Sequence, residues 1–293
     1  METQSDEGGP TGFVFYKPLL LLLVLMACAK TTRRNDINNI TQPQPSTAKT
    51  GEKTPPPTRK KKKKKIYLTF DDGPNKGTRK VLDIVQQEQV PVTFFLIGEH
   101  AFASTSQRAT WDSLRIEESI ELCNHSHTHA WHNRYNKFYE QPDSVVNDFK
   151  RCQDSLGLSN TISRTPGRNI WRVDTLRYTD LSKSAAAADS LQQAGFTIIG
   201  WDLEWHYDHK NFTLKNGADA LLGQIDSLFA ANKTRVPEHL VLLAHDQVYD
   251  DANDSAELHQ LIKKLKARDE YELLVTSKFP GAKPRKEGSA TAD

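Results

Sequence analysis

Two aspartates, Asp71 and Asp72, stand side by side at the end of a short apolar run, Ile66 to Phe70, and Gly73-Pro74 follows them. On an extended chain successive side chains point to opposite faces. One carboxylate can therefore bind a cation while its neighbour faces a water. Taken alone, Asp, Gly and Pro are ordinary turn formers. Further along, Asn124-His125-Ser126-His127-Thr128-His129 sets His125 and His129 four positions apart, a spacing that a helical turn or a compact loop brings to one side. Two imidazoles and one carboxylate make a three-ligand divalent-metal site with positions left for water and substrate. Three histidines within five positions, in a chain that holds ten, favour metal binding over ordinary polar surface.

Three weaker signals point the same way. Arg164-Thr165-Pro166-Gly167 puts a cation in a rigid loop, Trp201-Asp202-Leu203-Glu204-Trp205 sets carboxylates between aromatics, and Leu243-Ala244-His245-Asp246 closes an apolar run on a histidine. Asp71, Asp202 and His245 all fall at the end of a predicted strand, where an α/β barrel gathers its functional groups.

The elements that would carry them alternate. Strands are predicted at Ile66 to Phe70, Pro91 to Gly98, Thr197 to Leu203, Leu240 to Ala244 and Tyr271 to Thr276. Between them, apolar residues at helical spacing predict helices over Thr78 to Gln89, Ser182 to Ala194, Gly217 to Ala231 and Ser255 to Lys266. Such alternation implies a parallel sheet with covering helices.

Thr69-Phe70-Asp71-Asp72-Gly73-Pro74, followed by His125-Ser126 and His129, resembles the first two motifs of the NodB-type polysaccharide deacetylases, carbohydrate esterase family four. The resemblance covers residues 66 to 277. It implies a distorted (β/α) barrel of about seven strands. It also implies that Asp72, His125 and His129 hold a divalent metal, Zn²⁺ first, with Co²⁺, Ni²⁺ or Mn²⁺ as alternatives. Asp71 would be the general base, Arg164 its partner and His245 the general acid, with Asp202 tuning His245. The family has an aromatic between the Pro and Gly of its third motif and this chain does not, so Gly167 is the positional candidate for the oxyanion contact. The fourth motif also departs, with Glu204-Trp205 after Asp202. Leu243 and Trp205 would wall the acetyl methyl group. The implied substrate is an acetylated polysaccharide or oligosaccharide. Removal of N-acetyl groups from amino-sugar units leads, ahead of O-acetyl esterase chemistry on a xylan-like chain and of a non-catalytic glycan-binding lipoprotein.

The flanks carry a different signal. Pro18 to Ala29 is an apolar run preceded by Lys17, too short to span a membrane, and Leu25-Met26-Ala27-Cys28 looks like a bacterial lipobox. Residues 1–28 are therefore expected to be a lipoprotein-type signal peptide, with a lipid anchor at Cys28 and the rest of the chain in the extracytoplasmic cell envelope. Residues 29–65, rich in Thr, Asn, Pro and Lys, are expected to form a disordered tether, and 278–293 a disordered tail. The run from Arg59 to Lys65 is read as a solvated spacer; a formal net charge of +2 gives no field for nucleic acid, and no protein partner is expected. Of the three cysteines, Cys123 and Cys152 read as small buried residues rather than ligands or a redox pair.

Overall fold

The computed structural model describes residues 62–282. The expected signal peptide, Cys28 and most of the tether lie outside the described residues, as do residues 283–293. Twelve strands are present among the described residues: β1 (Lys64–Gly73), β2 (Val92–Leu96), β3 (Ile120–Asn124), β4 (Ile162–Ser163), β5 (Ile170–Val173), β6 (Leu176–Thr179), β7 (Thr197–Ile198), β8 (Leu203–Glu204), β9 (Tyr207–Asp208), β10 (Thr213–Leu214), β11 (His239–His245) and β12 (Tyr271–Leu273). Seven of them run parallel in the spatial order β7-β4-β3-β2-β1-β11-β8. The segment that carries β7 and β8 pairs first with β4 and then with β11, so one stretch of chain bridges the two edges of a curled sheet. This is a distorted (β/α) barrel. The antiparallel β5–β6 hairpin extends the sheet beyond β7, and β12 pairs with the start of β1.

The period-two alternation of strand side chains divides the core into two layers. Ile66, Leu68 and Phe70 of β1, Val92, Phe94 and Leu96 of β2, and Leu240, Leu242 and Ala244 of β11 face outward, under the helices Thr78–Glu88, Ala218–Ala230 and Ala252–Lys266. Tyr67, Phe95, Cys123 and Val241 face inward and fill the barrel. Asp71 and His245 continue the inward columns of β1 and β11, so the same alternation that packs the barrel aims them into its mouth. The helix Ala252–Lys266 starts where the Asp251 side chain accepts the N–H groups of Asn253 and Asp254, a standard N-cap.

Most expected elements are present with ends shifted by a few residues, and three differences are physical. Lys64 and Lys65, assigned above to the tether, already belong to β1, where Lys65 pairs with Glu272 at 2.8 Å. Phe279, assigned to the tail, is buried, with ring centroids 5.4 Å from Tyr67 and 5.3 Å from Trp171. The strand expected over Thr197 to Leu203 is broken into β7 and β8. Cys123 and Cys152 are both buried free thiols. Among the described residues, no helix is long and apolar enough to cross a membrane.

Candidate active site

The pairing of β1 with β2 explains how two adjacent aspartates separate. Asp71 is in register with Phe95 and Gly73 with Leu96, so Asp72 is an extra residue, a bulge in β1 with φ of 77°. Asp71 keeps the inward direction of its strand, and the bulge turns Asp72 towards β3. There, Asp72 Oδ1 lies 3.4 Å from His125 Nε2 and 3.2 Å from His129 Nε2. It is buried without a properly aligned hydrogen bond.

The two imidazoles are held by their other nitrogens. His125 Nδ1 donates to the carbonyl oxygen of Arg164 at 3.0 Å, and His129 Nδ1 is hydrogen-bonded to Asn133 Oδ1. A proton fixed on Nδ1 leaves the Nε2 lone pair directed at Asp72. Burial alone would raise the Asp72 carboxyl; the two imidazoles against it, His125 and His129, outweigh that and hold the group well below the usual carboxylate range. One ligand atom from each of Asp72, His125 and His129 lies within 4.8 Å of the other two. Three converging electron-pair donors, with a buried oxygen that lacks a partner, fit a divalent cation.

The loop that presents the histidines is itself anchored. Asp148 accepts the N–H groups of His127 and Thr128 and the Thr128 hydroxyl, and Asn124 Oδ1 accepts the N–H of Ser126. The chain then enters a left-handed turn. Every residue from His129 to Asn133 has φ between 48° and 67°, and none is glycine. The four-residue spacing predicts a helical turn or a compact loop, and the turn that follows His129 is left-handed.

Asp71 faces a different environment. Its Oδ1 accepts from Arg164 Nη1 at 2.8 Å, and Oδ2 is 3.6 Å from His125 Nε2. Arg164 is fully buried and uses its whole fork: Nη1 also reaches Thr69 Oγ1, Nε donates to the carbonyl of Ile199 and Nη2 to that of Gly200. Its guanidinium lies 4.1 Å from the centre of the Phe95 ring. A buried guanidinium with each nitrogen hydrogen-bonded fixes the direction of the adjacent carboxylate. His245 stands in register with Asp71 across the β1–β11 pair, its ring 5.1 Å from that of Tyr207 and its Nδ1 buried without a partner. Asp71, Asp72, His125, His129, His245 and Leu243 all line one open cleft of about 580 Å³. Gly167 lines it too, at φ of 61°, where a Cβ would come within 2.7 Å of the Tyr135 ring.

Arg164 lies beneath the cleft and reaches it only through Asp71, and two further expected residues are not in it. Asp202 turns away: its carboxylate accepts the N–H groups of Arg235 and Val241 at 2.7 and 2.8 Å, and burial pushes its pKa up to about 6. It does not touch His245. Trp205 is buried in the outer core layer, its indole N–H on the carbonyl of Asn216. The break between β7 and β8 shifts the alternation, so Trp201 and Glu204 line the cleft in their stead. Asp202→Asn offers only one acceptor to two backbone N–H groups. It is expected to cost about 1–3 kcal/mol of stability, read as a lower Tm, and to leave the pH profile of turnover in place.

Sequence reasoning also passed over Asp246, Tyr135 and Tyr207. Asp246 is fully buried, and burial pushes its pKa up to about 8; Asn75 and Thr78 hydrogen-bond to it. Its carbonyl oxygen would lie 1.9 Å from a Cβ at Gly77, so the turn after Asp72 is packed directly on the end of β11. The adjacency of Asp246 to His245 was the only local signal for it.

Comparison with known proteins places this sequence and fold among known relatives. Residues 58–199 match the family described as polysaccharide deacetylase. Over that stretch, just under half of its length, the chain is similar to the polysaccharide deacetylase family. The peptidoglycan-N-acetylglucosamine deacetylase of Bacillus cereus is 29% identical over 183 residues, which cover 61% of this chain and 59% of that one. A chitooligosaccharide deacetylase of Sinorhizobium fredii is 42% identical over 65 residues, 22% of this chain and 28% of its own. Among solved structures, the CE4 esterase of Streptococcus mutans superposes with a TM-score of 0.54 at 26% identity, over 73% of this chain and 86% of that one. The chain spans 57% and 59% of the length of the first two curated relatives. His245 and the second half of the barrel lie beyond the matched residues 58–199.

Proposed function

We propose that this chain is a metal-dependent hydrolase that removes N-acetyl groups from amino-sugar units of a glycan. The observation that carries the reading is the bulge at Asp72, which sets one carboxylate among two oriented imidazoles while its neighbour, Asp71, is held by Arg164. Asp72, His125 and His129 are the ligands of this proposal, and Zn²⁺ suits their donor set. A divalent cation held there would supply activation of a water and polarisation of the acetyl carbonyl. Asp71 takes the proton of the attacking water. Arg164 pairs with Asp71 and fixes its direction, since its other hydrogen bonds go to Thr69, Ile199 and Gly200. His245, beside Asp71 on the next strand, delivers a proton to the departing amine. Leu243 and Gly167 bound the space for the acetyl group.

The relatives named as acting on peptidoglycan and on chitooligosaccharides support an amino-sugar substrate. The cell envelope, with the lipid anchor at Cys28, is the location proposed for the reaction. Acetate release across a panel of N- and O-acetylated oligosaccharides, with and without a chelator, tests the function. Release from N-acetylated substrates is expected, abolished by chelator and restored by added Zn²⁺. Release from O-acetylated substrates alone would make the chain an esterase. Release unaffected by exhaustive metal removal would sink the metal-dependent reading.

A further inference from the structure

A second hollow of about 520 Å³ adjoins the catalytic cleft and shares Asn133 and Tyr135 with it. Its other lining side chains are Arg134, Asn136, Lys137 and Arg168. Three of the six are cationic and, among the described residues, none is acidic. The cleft itself has the opposite character beyond its central carboxylates, with Glu99 and Glu204 in its wall. Charge is thus segregated along one continuous surface.

Arg168 is the organised member of this patch. Its guanidinium lies 5.5 Å from the centre of the Tyr135 ring and 5.6 Å from that of Tyr139. Nε donates to Ser184 Oγ at 3.3 Å, Nη2 to Asn136 Oδ1 at 3.0 Å and Nη1 to the carbonyl of Gly167 at 2.8 Å. All three acceptors are neutral, so the side chain is positioned while its charge stays uncompensated by them. Arg134 and Lys137 are exposed beside it. Tyr135 links the hollow to the site: its ring centre is 5.9 Å from that of His129, and on its other side it meets Arg168. Arg168 occupies a stretch where this chain departs from its family, directly after Gly167.

We propose that this hollow receives an anionic substituent, a carboxylate or a phosphate, carried by a sugar unit near the one being deacetylated, with Arg168 as its main contact. The assignment rests on the deacetylase reading above and narrows its substrate to a charged glycan. A planar guanidinium with fixed orientation matches both anions in two-pronged geometry, and Lys137 and Arg134 add charge without direction. Glu99 and Glu204 repel the same anion from the cleft wall. The charge would therefore set the register in which the glycan lies across the site.

The test uses three N-acetylglucosamine oligosaccharides of equal length: one neutral, one carrying carboxylates on alternate units, one carrying phosphates. Acetate release by the metal-loaded full chain is expected to favour an anionic oligosaccharide through a lower KM, and the preference should shrink as salt is raised. The kcat/KM ratio of anionic to neutral substrate is expected to fall about tenfold in Arg168→Gln and by less in Lys137→Gln and Arg134→Gln. The last two residues are exposed, so their variants remain folded if Arg168→Gln does not. The anion with the larger ratio identifies the substituent. A wild-type ratio of one for both anions, or a ratio that none of the three substitutions changes, overturns the proposal. Calorimetric titration of the same oligosaccharides separates the two readings. Tighter, Arg168-dependent binding of an anionic oligosaccharide without acetate release from any of them would end the deacetylase reading and leave the anion site standing. Equal affinities would end the anion site.

Discussion

Asp71→Asn is expected to keep its metal and lose activity, whereas Asp72→Asn is expected to lose both. An amide at position 71 cannot accept the water proton, and the imidazoles of His125 and His129 are anchored by Arg164 and Asn133 rather than by Asp71. The loss should fall in the ~10²–10⁴-fold range of general acid–base groups. At position 72 the amide is a weaker ligand for Zn²⁺ than a carboxylate, and the bulge sets this side chain against His125 and His129. Metal content of the two purified variants, measured beside acetate release, reads the difference directly. Loss of metal in Asp71→Asn with retention in Asp72→Asn would reverse the assignment. Retention of both metal and activity in the pair would reduce the motif to a turn.

His245→Ala is expected to flatten the alkaline side of the pH profile. A base that must be ionised and an acid that must be protonated give a bell-shaped dependence of kcat/KM. Activity falls at low pH as the base takes up a proton, and at high pH as the acid loses one. Removing His245 takes away the second limb and, with it, about 10²–10⁴-fold of rate. An alkaline limb that survives unchanged would assign the acid to another group. Asp202→Asn is the matched control, since its carboxylate serves Arg235 and Val241 rather than His245.

How much of this site could be read from the chain follows from how local each signal is. Asp71, Asp72, His125 and His129 lie in two short segments, and the chemistry of each segment names its members without knowledge of the fold. His245 ends an uninterrupted apolar run, so alternation alone sends it inward with Val241 and Leu243. Asp202 and Trp205 failed for the converse reason. Their strand is interrupted between Ile198 and Leu203, and each skipped pairing reverses which face a residue occupies. The strand at Ile120–Asn124, the helix at Pro142–Leu156 and the hairpin Ile170–Thr179 also went unread. β3 begins with half-buried residues, so no continuous apolar run announces it, and β4, only two residues long, is defined by pairing across the sheet. Beyond its adjacency to His245, Asp246 is legible in three dimensions, where Asn75 and Thr78 meet it from the far end of the sequence.

The left-handed turn at His129–Asn133 sets a limit on improving this protein. Left-handed helical backbone costs L-residues on the order of 1–2 kcal/mol each, and five consecutive residues carry it here. Any screen for thermal robustness will be drawn to this segment, since glycine at Ala130, Trp131 or His132 relieves the backbone directly. The same substitutions loosen the mount of His129, and Trp131 also packs on Phe138 with ring centroids 5.4 Å apart. Directed evolution for heat tolerance without a selection for turnover should therefore collect mutations here first, and the survivors should be sturdier proteins that hold their metal less well.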